Sequence, residues 1–182
     1  MQLLEWNDPL PARPRRILVS GTSGAGKTTV AAALAVRLGI PHTDIDGLYH
    51  GPGWVPRPEF ADDVAALAAR EEWVTGWQYS VVRPLLLGRA DLLVWLDLTR
   101  ATVMRQIVPR TLRRRLRRVE LWNGNRQRAS VLTPRSIWRL WRRWPTYAAT
   151  IERALTTHDL SHLEVIRLRD RGAVRRFVSE RV

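Results

Sequence analysis

The chain has 182 residues, enough for one domain with a real core, and its 45% apolar and 26% charged content excludes wholesale disorder. Thirty basic against 17 acidic side chains leave a net charge of +13, which points to anionic ligands or nucleic acid. There is no cysteine, so disulfides, thiolate nucleophiles and Cys-held metals are excluded.

Among the bases, 29 are arginine and one is lysine, Lys27. Arginine and lysine interchange on a solvated surface but not where a compact ammonium is needed, which makes Lys27 the first residue to inspect.

Residues 1–14 hold Pro9, Pro11 and Pro14 without a basic start and apolar stretch. They read as a loose leader, Trp6 included, ahead of a single domain over 15–182. The longest apolar run, Leu92 to Leu96, is far below the ~20 residues of a membrane helix, so a cytosolic protein is expected.

Ile17 to Val19 predict a short buried strand, followed by Gly21-Thr22-Ser23-Gly24-Ala25-Gly26-Lys27-Thr28 and then Thr29. This is the phosphate-binding loop G-x-x-x-x-G-K-T, the Walker A pattern, with a helix expected over Thr29 to Leu38 and closed by Gly39 and Pro41. Glycines let consecutive backbone N–H groups face a phosphate, and the helix adds its positive end. Lys27 then reaches the β- and γ-phosphates while the Thr28 hydroxyl suits Mg²⁺.

Further on, Ile40 to Ile45 predict a strand with Asp44 and Asp46 near its C-terminal end, two apart and so pointing to one side, and Gly51 to Pro58 a loop. A helix is expected over Glu59 to Arg70, strands over Trp73 to Thr75 and Leu92 to Leu96, and a helix over Thr99 to Arg118 with Pro109 as a candidate interruption. Ile137 to Leu155 predict another helix, broken or kinked at Pro145. Leu163 to Leu168 form the last strand, and the final helix begins over Gly172 to Phe177. Continuous apolar strands alternating with helices imply a parallel sheet covered on both faces, with ligands at the strands' C-terminal ends.

The order of phosphate loop, D-x-D, acceptor loop and Arg89-Ala90-Asp91 to Trp95-Leu96-Asp97 before an Arg-rich helix resembles the adenylate-kinase-like P-loop kinases. The nearest likeness is to the small bacterial group labelled "DNA topology modulation protein". That resemblance covers about 15–182. It implies a three-layer α/β/α P-loop NTPase fold, a five-stranded parallel sheet, an acceptor side over 44–90 and an Arg-rich helical lid over 100–136. It also implies phosphoryl transfer from ATP with Mg²⁺. Such relatives often carry D-G-N-Y where this chain has Thr75-Gly76-Trp77-Gln78-Tyr79, so any metal role of that acid passes to Asp44 or Asp97 or is absent.

By analogy Asp44 belongs to the metal's outer shell and Asp46 to the acceptor, although carboxylates at such junctions also cap backbone N–H groups. Asp97 precedes a helix with Thr99, where capping is the economical reading. Arg57, Arg83 and Arg89 flank the acceptor side. Arg83 and Arg57 are the candidates for binding an acceptor's anionic group.

All the net charge lies between Arg100 and Arg143, which holds fourteen arginines and one acid, Glu120; outside it acids and bases number sixteen each. A lid brings cations over a transferring phosphoryl group, and Arg110, Arg113, Arg114, Arg117 and Arg118 are candidates, with Arg110 and Arg114 assigned to catalysis. Leu112, Leu116 and Val119 offer that helix an apolar stripe. Trp138, Trp141 and Trp144, interleaved with arginines, read either as a stripe packed on the sheet or as a surface that stacks on bases. Two functions are therefore expected from different classes. One is an ATP-dependent kinase for a small acceptor, most plausibly a nucleoside or nucleotide. The other is a nucleotide-gated nucleic-acid binder or polynucleotide kinase using segment 100–143. No membrane partner is expected.

Overall fold

In the computed structural model the described residues are 2–8, 13–117, 119–126, 138, 142, 144–157 and 160–181. Their strands are β1 (Gln2–Leu4), β2 (Arg16–Gly21), β3 (His42–Thr43), β4 (Trp73–Gly76), β5 (Leu92–Leu96) and β6 (Glu164–Leu168). The helices are α1 (Lys27–Leu38), α2 (Ile45–Tyr49), α3 (Phe60–Ala68), α4 (Arg83–Arg89), α5 (Arg100–Leu116), α6 (Trp144–Thr157) and α7 (Arg171–Arg176).

The sheet runs β1-β6-β5-β2-β4-β3 and every pairing is parallel. The expected five-stranded parallel core is β2 to β6. A sixth strand comes from the leader, which corrects its reading as a loose tail. Gln2, Leu3 and Leu4 pair with Glu164, Val165 and Ile166, and Leu4 is buried. Trp6 packs against the core with the Arg176 guanidinium over its ring at 4.4 Å. A parallel edge strand this short shows no alternation to read, so the register comes from its neighbour.

Strand alternation divides the core. Ile17 and Val19 face one side with Val30 and Leu34 of α1 and Phe177 near the C-terminus. Leu18 faces the other, with Phe60 and Val64 of α3, Leu86 of α4 and Ile151 of α6. Burying a side chain such as Leu34, with no exposed surface, contributes about 1.5–3 kcal/mol.

Three other expectations shift. The strand after α1 is only His42–Thr43, because Asp44 caps α2 and turns the chain. Helix α5 runs unbroken through Pro109. Of the helix expected over 137–155, the described stretch is Trp144–Thr157, and most of the part before Pro145 lies outside the described residues. Helix α4 has Pro in its first turn and was not expected from its short Pro-Leu-Leu-Leu run. Among the described residues no helix is long and apolar enough to cross a membrane.

Candidate active site

The phosphate loop leaves the C-terminal end of β2, a central strand, and α1 begins at Lys27. Gly24 and Gly26 have φ of +91° and +100°, a region that L side chains rarely adopt. A Cβ at Gly24 would lie 2.9 Å from Ile107 Cβ, so α5 rests directly on the loop. Lys27 Nζ donates to the Gly21 carbonyl at 2.8 Å and the Thr22 carbonyl at 3.2 Å. Loss of solvent pushes its pKa down to about 8; Asp46 opposes this shift, Arg110 and Arg83 add to it, and Asp44 opposes it.

A cavity of about 160 Å³ opens on the loop, lined by Ser23, Gly24, Gly26, Lys27, Thr28, Thr29, Asp46, Gln78, Arg110, Arg114 and Trp122. It thus gathers the loop, one D-x-D carboxylate and two arginines of α5 from segments far apart in the chain. Arg110 keeps solvent contact, and partial desolvation followed by the Arg114 charge lowers its pKa against the pull of Asp46. Gly21 and Ala25 shape the loop without lining this cavity. Ala25 instead lines a neighbouring one of about 280 Å³ with Gly26, Thr29, Val30, Leu98, Gln106 and residues of α7.

The two acids of D-x-D part company. Asp46 lines the cavity, and its Oδ1 accepts from Tyr79 Oη at 2.6 Å and Gln78 Nε2 at 3.1 Å. Asp44 does not line it. Its Oδ1 accepts from the Asp46 backbone N–H at 3.2 Å, and its Oδ2 from Trp122 Nε1 at 2.9 Å. Because the chain turns into α2 at Asp44, the expected same-side arrangement on a strand does not form.

Asp97 is neither a cap nor a cavity acid. Arg167 holds Asp97 Oδ2 through Nε at 2.9 Å and Nη2 at 2.7 Å, while Thr99 Oγ1 accepts from the Thr102 N–H. Arg57 is turned toward Asp63 at 2.9 Å and Glu59 at 3.8 Å, away from the cavity. Arg83 lies over the Trp77 ring at 4.8 Å, and its Nε is buried without a hydrogen-bond partner.

Leu112, Leu116 and Val119 are exposed, so the stripe expected on α5 covers no core. Trp138 is 58% exposed with the Arg142 guanidinium over its ring at 5.4 Å. It does not pack on the sheet. Trp141, Arg118, Arg139, Arg143 and 127–136 of the expected lid lie outside the described residues.

Four participants escaped sequence reasoning. Gln78 and Tyr79 hold Asp46 from the loop where D-G-N-Y was missing. Tyr147 of α6 accepts from the Gly21 N–H at 3.0 Å and lies 3.1 Å from Ser20 Oγ. Trp122 reaches Asp44 from the turn that follows α5. Only the Asn123-Gly124 turn signal beside Trp122 was visible in advance.

No protein-family model and no curated protein sequence matches the chain. Its fold is similar to that of the shikimate kinase from Acinetobacter baumannii in complex with shikimate, at TM-score 0.60 and 16% identity over 91% of this chain and 89% of that one. It is similar to a gluconokinase from Sinorhizobium meliloti at TM-score 0.52 and 20% identity over 91% and 90%. A shikimate kinase from Bacteroides thetaiotaomicron matches at TM-score 0.50 and 16% identity over 91% and 94%. The chain therefore has the α/β fold of the P-loop kinases.

Proposed function

We propose that this protein is an ATP-dependent phosphotransferase acting on a small acceptor, with a nucleoside or nucleotide as the first class to test. The carrying observation is the convergence of Lys27, Thr28, Asp46, Arg110 and Arg114 on one cavity. Three cations around a single carboxylate are a poor arrangement in the absence of an anion, and a good one for a triphosphate.

Lys27 would exchange its two carbonyl partners for β- and γ-phosphate oxygens, and the loop N–H groups would hold the rest. The adjoining 280 Å³ cavity, which shares Gly26 and Thr29 with the first, would take the nucleoside. Arg110 and Arg114 would stabilise charge spreading over the transferred group. Asp46 would orient the acceptor hydroxyl through the oxygen not held by Tyr79 and Gln78. Arg83, whose Nε is buried without a hydrogen-bond partner and which has no ion pair among the described residues, would meet an anionic group on the acceptor; Arg57, already paired, would not.

Mg²⁺ fits this site as a hard cation among oxygens, with Thr28 and Asp46 at the cavity wall. When bound it would neutralise charge on the phosphates. Asp44, with both oxygens taken by protein N–H groups, has less to offer than its sequence position implied.

The kinase names of the fold neighbours agree with this reading, and the narrower likeness to the "DNA topology modulation" group adds no chemistry to it. The nucleic-acid alternative is not favoured, since the described inward arginines, Arg110 and Arg114, are accounted for by a triphosphate. The experiment is ATP binding by calorimetry, followed by phosphate transfer from labelled ATP to a panel of nucleosides, nucleotides and hydroxy acids. Binding abolished by Lys27→Ala and transfer to one acceptor are expected. Absence of ATP binding by the unaltered protein would sink the reading.

A further inference from the structure

Beyond α5 the chain makes a tight turn, Trp122–Gly124, in which Asn123 and Gly124 take φ of +53° and +75°. Across from it lies a matching turn, Pro52–Trp54, with Gly53 and Trp54 at φ of +69° and +65°. Each is closed by its own antiparallel bridge, Glu120 with Arg126 and His50 with Pro56.

The two turns grip each other through neutral groups. Asn125 is buried; its Nδ2 donates to the Gly51 carbonyl at 2.8 Å and its Oδ1 accepts from the Trp54 N–H at 2.9 Å. Trp54 Nε1 donates to the Arg126 carbonyl at 3.1 Å, and Asn123 Nδ2 to the Gly47 carbonyl at 3.1 Å. Trp122 donates to Asp44, stacks near His50 at 6.2 Å, and lies so close to Gly47 that a Cβ there would be 3.0 Å from the ring.

The base of the same segment is in the opposite situation. Arg110 and Arg114 stand beside Lys27 with Asp46 as the cavity's one carboxylate, and neither has an ion pair among the described residues. Like charges in so small a space repel, which weakens the hold of the cavity on the arginine-bearing half of α5. Val103 and Ile107 seat the first half of the helix on the core and the loop, and the tip, gripped by the acceptor-side segment 44–57, holds the far end.

We propose that residues 120–126 form a clasp that keeps the α5 arginines over the phosphate cavity before a nucleotide arrives, with Trp122 and Asn125 as its positioning residues. This rests on the reading of the cavity as a triphosphate site. Preorganisation removes from binding the cost of bringing the cations together, so the clasp sets nucleotide affinity by where it holds the arginines. Because the clasp is built largely of hydrogen bonds to neutral groups, its hold is insensitive to salt, unlike the phosphate contacts it prepares.

The test uses the full chain and three variants. Trp122→Phe keeps an aromatic ring and removes the indole N–H; Asn125→Ala removes all three of its side-chain hydrogen bonds. Gly47→Ala leaves the tip unaltered, favours helix α2, and pushes the Trp122 ring away. Affinity for ATP and for inorganic tripolyphosphate is measured by calorimetry, amide exchange over residues 104–116 by mass spectrometry, and melting temperature alongside. Affinity should fall about tenfold for both anions, the size expected from one or two lost hydrogen bonds. Exchange of α5 should quicken in the free protein and return to the parent rate with saturating ATP.

Parent-like affinity and α5 exchange in Gly47→Ala and Trp122→Phe would overturn the proposal. So would a lowered melting temperature with affinity unchanged, the mark of a merely structural contact. If the parent protein binds neither anion, the triphosphate reading fails, while the exchange comparison still decides whether the tip holds α5.

Discussion

The Tyr79 hydroxyl donates to Asp46 Oδ1 at 2.6 Å, from a residue whose φ of +57° is uncommon for a side chain of its size. Burial, then the Asp46 hydrogen bond, pushes the Tyr79 pKa up, so the phenol stays a donor at any working pH. The ring is fixed by stacking on Tyr49 at 4.0 Å. Tyr79→Phe keeps that stacking and removes the donor to the Asp46 carboxylate, with the longer contact to His50 Nε2 at 3.3 Å. We predict a loss of roughly 1.5–3 kcal/mol in urea denaturation, with ATP affinity changed less than about twofold. A large drop in ATP affinity instead would place Tyr79 in the phosphate site rather than behind Asp46.

Lys27 carries a pH signature. Folding lowers its pKa from 10.5 to about 8, so between those values the unfolded chain binds more protons than the folded one. Its contribution therefore makes the free protein more stable as pH rises from about 8 to 10.5, and its cost is fully present below 8. Measured stability of the parent should gain on Lys27→Met across that window. ATP affinity should move the other way, weakening as the ammonium is lost. Parallel stability curves for the two proteins would refute the assignment.

Tyr147 is expected to matter for the loop although it lies 126 residues from Gly21. Tyr147→Phe leaves the Gly21 N–H and Ser20 hydroxyl without that partner, at a cost of about 1–3 kcal/mol. Because Lys27 binds the carbonyl of the same Gly21, ATP affinity should fall as well. Stability and affinity both at parent values would show that another group takes over.

The N-terminal strand should be structural. Leu4→Ala removes a buried side chain from the sheet edge and is predicted to cost about 2–3 kcal/mol by chemical denaturation. A change below about 0.5 kcal/mol would return residues 2–4 to the status of a tail.

Asp97→Asn separates an ion pair from a metal role. Loss of the charged partner of Arg167 should lower stability while ATP affinity in Mg²⁺ stays at the parent value. A selective loss of Mg²⁺-dependent binding would restore the acid to the site.

By itself the sequence determined the phosphate loop, the parallel α/β sheet and the placing of all net charge in one segment. Those features are local: glycine geometry, apolar runs and charge counts act over a few residues. Tertiary structure decided which polar groups meet, because partners such as Asp44 and Trp122 or Gly21 and Tyr147 are brought together only by chain crossings that no local pattern encodes. It also sorted the arginines, pairing Arg57 and Arg167 with carboxylates and leaving Arg83, Arg110 and Arg114 without an ion pair among the described residues. The +13 thus resolves into residues with different work: of the candidates weighed, Arg110 and Arg114 face the cavity beside the one lysine.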